Sequence, residues 1–206
     1  MQLGASFYIL ETLLLVFGLI FAIRICSFKK DAWYFYLLAT ITGSFQFIDL
    51  SQFDLANYIN NLAMYSHDLV LPLVAILIHN RTTITPKKIS RDNLGFVSGL
   101  ILIVSLLMVG FNYLTLPISP FTDIVMFISV IFGIVVYVGS ALLAFGYIIG
   151  LLINAIYSLQ YIIFSLFTIS KYGIYSYNIL ISILFSLISF IIFLVGYTNN
   201  KKQLSN

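Results

Sequence analysis

The sequence predicts an all-α, polytopic integral membrane protein. It would be a bundle of seven transmembrane helices, with the N-terminus outside and the C-terminus cytoplasmic. Three observations lead there. The first is composition: of 206 residues, 61% are hydrophobic and only 8% are charged, with a mean hydropathy of +1.07. Soluble domains carry roughly a quarter charged residues, and so few charges could not cover a water-soluble fold of this size. The second is that apolar runs long enough to cross a bilayer recur seven times. The third is that the lysines and arginines fall on one side of the alternation those runs impose.

The first run, Phe7–Ile25, is long enough to span, and no basic segment precedes it, so a cleavable signal is not expected. Cys26 follows directly and is the only cysteine, which excludes an intrachain disulfide and any multi-cysteine metal site. We expect an unmodified structural thiol there. The second run is Trp33–Leu50, and Trp33, Tyr34 and Tyr36 beside Lys29 and Lys30 read as an inner aromatic belt. The third is Ile59–Ile78 and the fourth Leu94–Leu116. Between them "TPKK" suggests a short turn after Thr85.

Ile124 to Ser170 contains no charged residue. As one helix it would be about 70 Å long, against a hydrocarbon core of about 30 Å, so it must fold back. "FGYIIGLLIN" offers the turn through Gly146, Gly150 and Asn154, which divides the stretch into Ile124–Phe145 and Ile148–Ile169. Ser119 and Pro120 suit the start of the fifth span as N-cap and first helical residue. The seventh run is Ile174–Tyr197, with Tyr172, Tyr175 and Tyr177 as an outer belt. With seven spans, Arg24, Lys29, Lys30, Arg81, Lys87, Lys88, Arg91, Lys201 and Lys202 are cytoplasmic and only Lys171 is outside. Six spans would put Lys201 and Lys202 outside. The length leads us to expect one transmembrane domain over residues 1–206.

Polar residues recur at helical spacing on several runs: Thr42, Gln46 and Asp49; Asn154, Ser158, Tyr161, Ser165 and Thr168; Asn178, Ser182, Ser186 and Ser189. Such stripes serve as packing faces between membrane helices. A sharper expectation is that the stripes of spans 2, 3, 6 and 7 line one polar cavity.

The third run carries the strongest signal, "YSHDLVLPL". Asn57, Asn61, Tyr65, Asp68, Pro72, Ala75 and His79 recur at three- and four-residue intervals and so share a face. Asp68 lies about 20 Å along a helix from Arg81, near mid-membrane, where a charge costs at least about 2.5–3.5 kcal/mol. Pro72 has no N–H to give the Asp68 carbonyl. The pair reads as a broken-helix polar centre that could hold a hard cation or a proton. The candidate ion- or ligand-binding residues are Asp68, His67, Pro72, Asp49 and Glu11.

Other chemistries fit poorly. His67 and His79 are the only histidines and lie about 18 Å apart on one helix, so they cannot grip one haem iron from opposite faces. There is no HExxH, no G-x-S-x-G and no phosphate-binding loop. The basic residues are dispersed, with no aromatic platform for nucleic acid. Seven spans with an aspartate on the third resemble the retinal proteins in outline only, because Ile174–Tyr197 holds no lysine to carry retinal. The sequence therefore assigns no family. We expect no cofactor, no metal and no enzymatic activity.

The function expected is that of a transporter, or an ion- or ligand-binding receptor, in the plasma or cell membrane. The alternative is a non-catalytic integral subunit of a larger membrane complex. The partners expected are the lipid bilayer, other membrane subunits or a signalling partner. Single cysteines introduced at Ser90 and Ser119 test the topology. Impermeant reagents should label them from opposite faces, and labelling of both from one face would overturn it.

Overall fold

The computed structural model describes the backbone of residues 5–45, 55–115, 124–172 and 177–205. Within those helices the side chains of 5–8, 55–67, 111–115, 124–130, 171–172 and 177–178 lie outside the description. The fold is all-α, with seven helices and, among the described residues, no strand. They are α1 (Ala5–Ile25), α2 (Ala32–Phe45), α3 (Leu55–Arg81), α4 (Leu94–Thr115), α5 (Ile124–Ala144), α6 (Ile149–Tyr172) and α7 (Tyr177–Gln203). These fall on the seven apolar runs of the sequence. Among the described residues two of them are long and apolar enough to cross a membrane, over Ile149–Ser170 and Ile179–Gln203. The apolar stretches Leu94–Gly110 and Ile131–Ala144 are shorter.

Six helices form a ring. α1 packs on α2, α2 on α3, α3 on α5, α5 on α6, α6 on α7, and α7 returns to α1. α4 stands outside this ring with α5 as its main neighbour.

The reversal between α5 and α6 follows from Gly146. Its φ is +88°, the left-handed conformation that suits glycine at the end of a helix. The Gly146 N–H donates to the Leu143 carbonyl and the Tyr147 N–H to the Leu142 carbonyl, both at 2.9 Å, the paired bonds of a Schellman cap. α1 ends the same way: Phe28 sits at φ 48°, its N–H reaches the Ile25 carbonyl, and the Lys29 N–H reaches that of Arg24. Burial of the Phe28 ring explains a bulky residue where glycine is usual. The turn does not extend to Gly150 and Asn154, which lie within α6. A Cβ on Gly150 would stand 2.3 Å from the Gly139 carbonyl oxygen, so this glycine lets α6 approach the α5 backbone.

The α3–α4 connection is held against this reversal. The Lys87 N–H donates to the Gly146 carbonyl at 2.9 Å and the Ile148 N–H to the Lys87 carbonyl at 3.1 Å, one isolated parallel bridge. "TPKK" is therefore not a turn, because Lys87 in its middle pairs both its backbone groups with residues 146 and 148. The Lys87 ammonium sits 4.5 Å from the Tyr147 ring centre. At the same end Lys88 Nζ reaches the Leu204 carbonyl and Ser205, and Asn200 Nδ2 donates to the Cys26 carbonyl. Arg24 pairs with Asp31 across the α1–α2 connection. The basic residues of both connections and of the α7 end thus gather at one end of the bundle.

The largest core cluster lies just inside that end. Phe21, Ala22, Ile25, Trp33, Ala75, Leu143, Leu151 and Phe193 belong to it. Trp33 is fully buried, with its ring 5.4 Å from Phe21 and 5.8 Å from Tyr36. This corrects the aromatic belt expected at 33–36. Only Tyr34 is exposed, because the Trp33 N–H finds an acceptor inside, His79 Nε2 at 3.1 Å. The proposed N-cap at Ser119 and Pro120 lies outside the described residues, as does the outer belt except for parts of α6 and α7 backbone. As the only tryptophan, Trp33 reports its own environment. Its emission should be blue-shifted and unaffected by brominated lipid. Strong quenching by such lipid would return it to the interface.

Candidate functional site

α3 runs through Pro72 without interruption, so the segment "YSHDLVLPL" is not a broken helix. Neighbouring helices tolerate the lost backbone bond, as membrane bundles commonly do. The shared face is real over the residues whose side chains are described. Pro72, Ala75 and His79 are buried and Asp68 is half-buried, whereas Val70, Leu73, Val74 and Leu77 are exposed.

Asp68 lines a cavity of about 550 Å³ between the six helices of the ring, and among the described residues α4 does not line it. α1 supplies Leu14, Leu15, Gly18 and Phe21; α2 supplies Tyr36, Thr40 and Ser44; α5 supplies Tyr137 and Ser140. Asn154, Tyr157 and Ser158 come from α6, and Phe185, Ser186, Ser189 and Phe193 from α7. Among the described residues no lysine, arginine or histidine lines it. Phe21 and Phe193 belong both to its wall and to the core cluster, so apolar packing closes the cavity toward the basic end.

The carboxylate is in electrostatic reach of the Tyr36 and Tyr157 phenols. Ser140 Oγ is buried and makes no hydrogen bond of ordinary geometry, though it stands close enough to interact with the Tyr36 hydroxyl. The other polar walls spend their protons locally. Thr40 Oγ1 donates to the Tyr36 carbonyl, Ser44 Oγ to that of Ile41 and Ser158 Oγ to that of Asn154, at 2.7–3.0 Å. Asn154 Nδ2 donates to the Gly150 carbonyl at 2.8 Å. A hydroxyl has one proton to give, so what these three present to the cavity is lone pairs.

The sequence-predicted residues divide as follows. Asp68 lines the cavity and Pro72 is buried one turn further along α3. Glu11 does not line it; its Oε1 accepts a 3.4 Å bond from Ser182 between α1 and α7. The backbone of His67 lies in α3 but its side chain is outside the described residues, and so is all of Asp49. Of the polar stripes, Asn154, Ser158, Ser186 and Ser189 reach the cavity, whereas Tyr161 is exposed and Thr42 bonds to its own helix. Leu15 is also on the cavity wall.

Tyr36, Tyr137, Ser140 and Tyr157 were not singled out for this role by sequence. A signal exists: Gly133, Val136, Tyr137 and Ser140 fall at i, i+3, i+4 and i+7, one face of α5.

His79 is the other buried polar group. Its Nε2 is 3.1 Å from both the Trp33 Nε1 donor and the Ala144 carbonyl, and Nδ1 is buried without a partner. A neutral ring cannot serve both contacts through one nitrogen, so each tautomer leaves one group unmet. It ties α2, α3 and the end of α5 together and does not line the cavity. Among the described residues no group of three or more His, Cys, Asp or Glu could hold a metal ion. No family model, curated protein or solved structure matches this chain.

A second cavity of about 680 Å³ lies at the basic end, between Cys26, Pro86, Gly196 and Asn200 among others. Cys26 Sγ donates toward the Ile192 carbonyl at 3.4 Å and packs on Gly196, where a Cβ would come within 2.4 Å of the sulfur. Burial pushes the thiol up to about 12. The reactive thiolate is therefore scarce between pH 7 and 9. Maleimide at pH 8 should label Cys26 slowly in the folded protein and fast in sodium dodecyl sulfate, measured by intact mass. Equal rates would contradict its burial.

Proposed function

We propose that this chain is a multi-pass protein of the cell membrane, with seven spans, and that it binds an ion or small ligand in the cavity lined by Asp68. It would act as a transporter or a ligand-binding receptor and not as an enzyme. The observation that carries the reading is a carboxylate, that of Asp68, on the wall of a cavity of about 550 Å³ between six helices. Intramembrane ionisable groups are costly, and they mark ion or substrate pathways. A volume of about 550 Å³ lies in the ligand-pocket range of about 300–1,000 Å³.

Two observations support the membrane setting. Leu102, Ile103, Leu106, Leu107, Ile163, Phe167 and Leu184 are each more than half exposed, apolar surface that water would penalise. The basic residues gather at one end of the bundle, which suits an N-out, C-in orientation.

A non-catalytic subunit of a larger assembly is the second reading. It is favoured by α4, which stands outside the ring and exposes an apolar face.

Thermal unfolding in mild detergent, at fixed ionic strength and across a panel of inorganic and organic ions, separates the two. A ligand-binding protein should show at least one saturable stabilisation that Asp68→Asn abolishes. That variant should still insert and fold, because an amide is cheaper to bury than a carboxylate. If no panel member acts through Asp68, and the chain purifies only with fixed partners, the subunit reading replaces this one.

A further inference from the structure

We infer that the cavity at the basic end, between α1, α7 and the α3–α4 connection, holds one anionic phospholipid, with its acyl chains on the apolar half of the wall and its phosphate toward the surrounding lysines. The inference rests on the membrane setting proposed above and is independent of what the Asp68 cavity binds.

The order of residues along the wall gives the first reason. α7 contributes Ile191, Ile192 and Val195, then Asn199, Asn200 and Gln203. At about 1.5 Å per residue this wall passes from hydrocarbon to amide over about 18 Å. α1 runs the same way, with Ile23 ahead of Cys26 and Ser27. Both helices finish at the basic end, so the apolar half of the cavity lies deeper and the polar half nearer that surface. A phospholipid with its headgroup at that surface has the same order of hydrocarbon and polar groups.

Access gives the second. Ile23, Ile191 and Val195 are each about half exposed, so the apolar half lies on the outer surface beside α1 and α7, within reach of acyl chains. The floor is fixed by close packing. A Cβ on Gly196 would stand 2.4 Å from Cys26 Sγ, and Asn200 Nδ2 donates to the Cys26 and Gly196 carbonyls, both at 2.8 Å. Asn200 thus spends both amide protons inside. The exposed side chains of Ser27, Asn199 and Gln203 are the hydroxyl and amide donors left on the wall for a phosphate.

Charge gives the third. Lys29 and Lys30 follow Ser27, Lys87 and Lys88 follow Pro86, and Lys201 and Lys202 precede Gln203. All six lysines are exposed. Lys87 leans on the Tyr147 ring, and Lys88 holds the Leu204 carbonyl and Ser205, so Lys29, Lys30, Lys201 and Lys202 are the cations at hand beside α1 and α7. No Asp or Glu stands within three positions of a lining residue. Cation clusters at the cytoplasmic ends of membrane helices attract anionic headgroups. A zwitterionic lipid would leave these charges unmatched, and a free phosphate ion would leave the apolar half of about 680 Å³ unfilled.

Native mass spectrometry of the full chain, purified in detergent, stripped of lipid and titrated with phosphatidylglycerol, tests the inference. The expected result is one tightly held lipid per chain, bound at least about tenfold more tightly than phosphatidylcholine with the same acyl chains. Glycerol phosphate at the same concentration should not displace it. Lys201→Gln with Lys202→Gln should weaken binding about fivefold or more, since one cation near an anionic surface is worth about that factor. Arg81→Gln with Arg91→Gln removes equal charge from the same end, away from the lining residues, and should change binding less than about twofold. Val195→Trp fills the apolar half without altering charge and should weaken binding at least about tenfold. Should the lysine pair fail to accumulate, Val195→Trp and the comparison of the two lipids decide the matter. Equal affinity for the two lipids, equal losses in the two charge pairs, or unchanged binding by Val195→Trp overturns the inference. Displacement by glycerol phosphate overturns the lipid in favour of a phosphate-ion site. A chain that stays monodisperse without detergent overturns the membrane setting as well, whereas absent lipid binding in a chain that needs detergent overturns this inference alone.

Discussion

The rest of this structure depends on one backbone reversal. Forty-seven residues without a charge, from Ile124 to Ser170, have to be folded into two helices that lie against each other. Gly146 does this in its left-handed conformation, closing α5 with a Schellman cap and starting α6 within a few residues. The α3–α4 connection then hydrogen-bonds to both sides of the turn. Gly150, one turn into α6, removes the side chain that would otherwise hold α6 away from the Gly139 carbonyl. Asn154, Tyr157 and Ser158 follow on that helix and line the cavity opposite α3. A substitution at Gly146 would meet the Thr85 carbonyl oxygen at 2.6 Å as well as adopting an unfavourable φ.

This arrangement separates the bundle into regions with different physics. Toward the basic end the interior is closed by Trp33, Phe28, Ile25 and Leu151, all buried, and by His79 joining three helices. One layer further in, the packing opens into a cavity where the Thr40, Ser44 and Ser158 hydroxyls are satisfied by their own helices. That local satisfaction explains why the cavity can exist among apolar helices. Thr40, Ser44 and Ser158 return their protons to a carbonyl three or four residues back, so these three donors are not stranded. Ser140 is an exception to this pattern, and it stands beside Tyr36 on the cavity wall.

Helix positions were legible in the sequence because apolar run length and chain reversal leave few choices. α4 starts at Leu94 as expected, and α5 starts at Ile124. The inward position of Asp68 was legible because it shares helical spacing with Pro72, Ala75 and His79, all of which are buried. The ring order was not legible. Nothing in the periodicity says that α4 stands outside while α3 meets α5, since that is set by pairwise packing between distant segments. The tyrosines were misread for a related reason. A phenol near a helix end suits a membrane interface and a cavity wall equally, and only the neighbours of Tyr36 decide between them. Trp33 went the same way, with His79 as the acceptor that sequence could not supply.

The central claim is that the cavity between the six helices is a binding site and that Asp68 takes part in it. Infrared difference spectroscopy, with and without any ion of the panel that stabilises the protein, measures this directly, because carboxyl vibrations are resolved from the amide background. The account predicts ion-induced carboxylate bands in the wild type that are absent in Asp68→Asn. Difference spectra that are identical in the two proteins would contradict it.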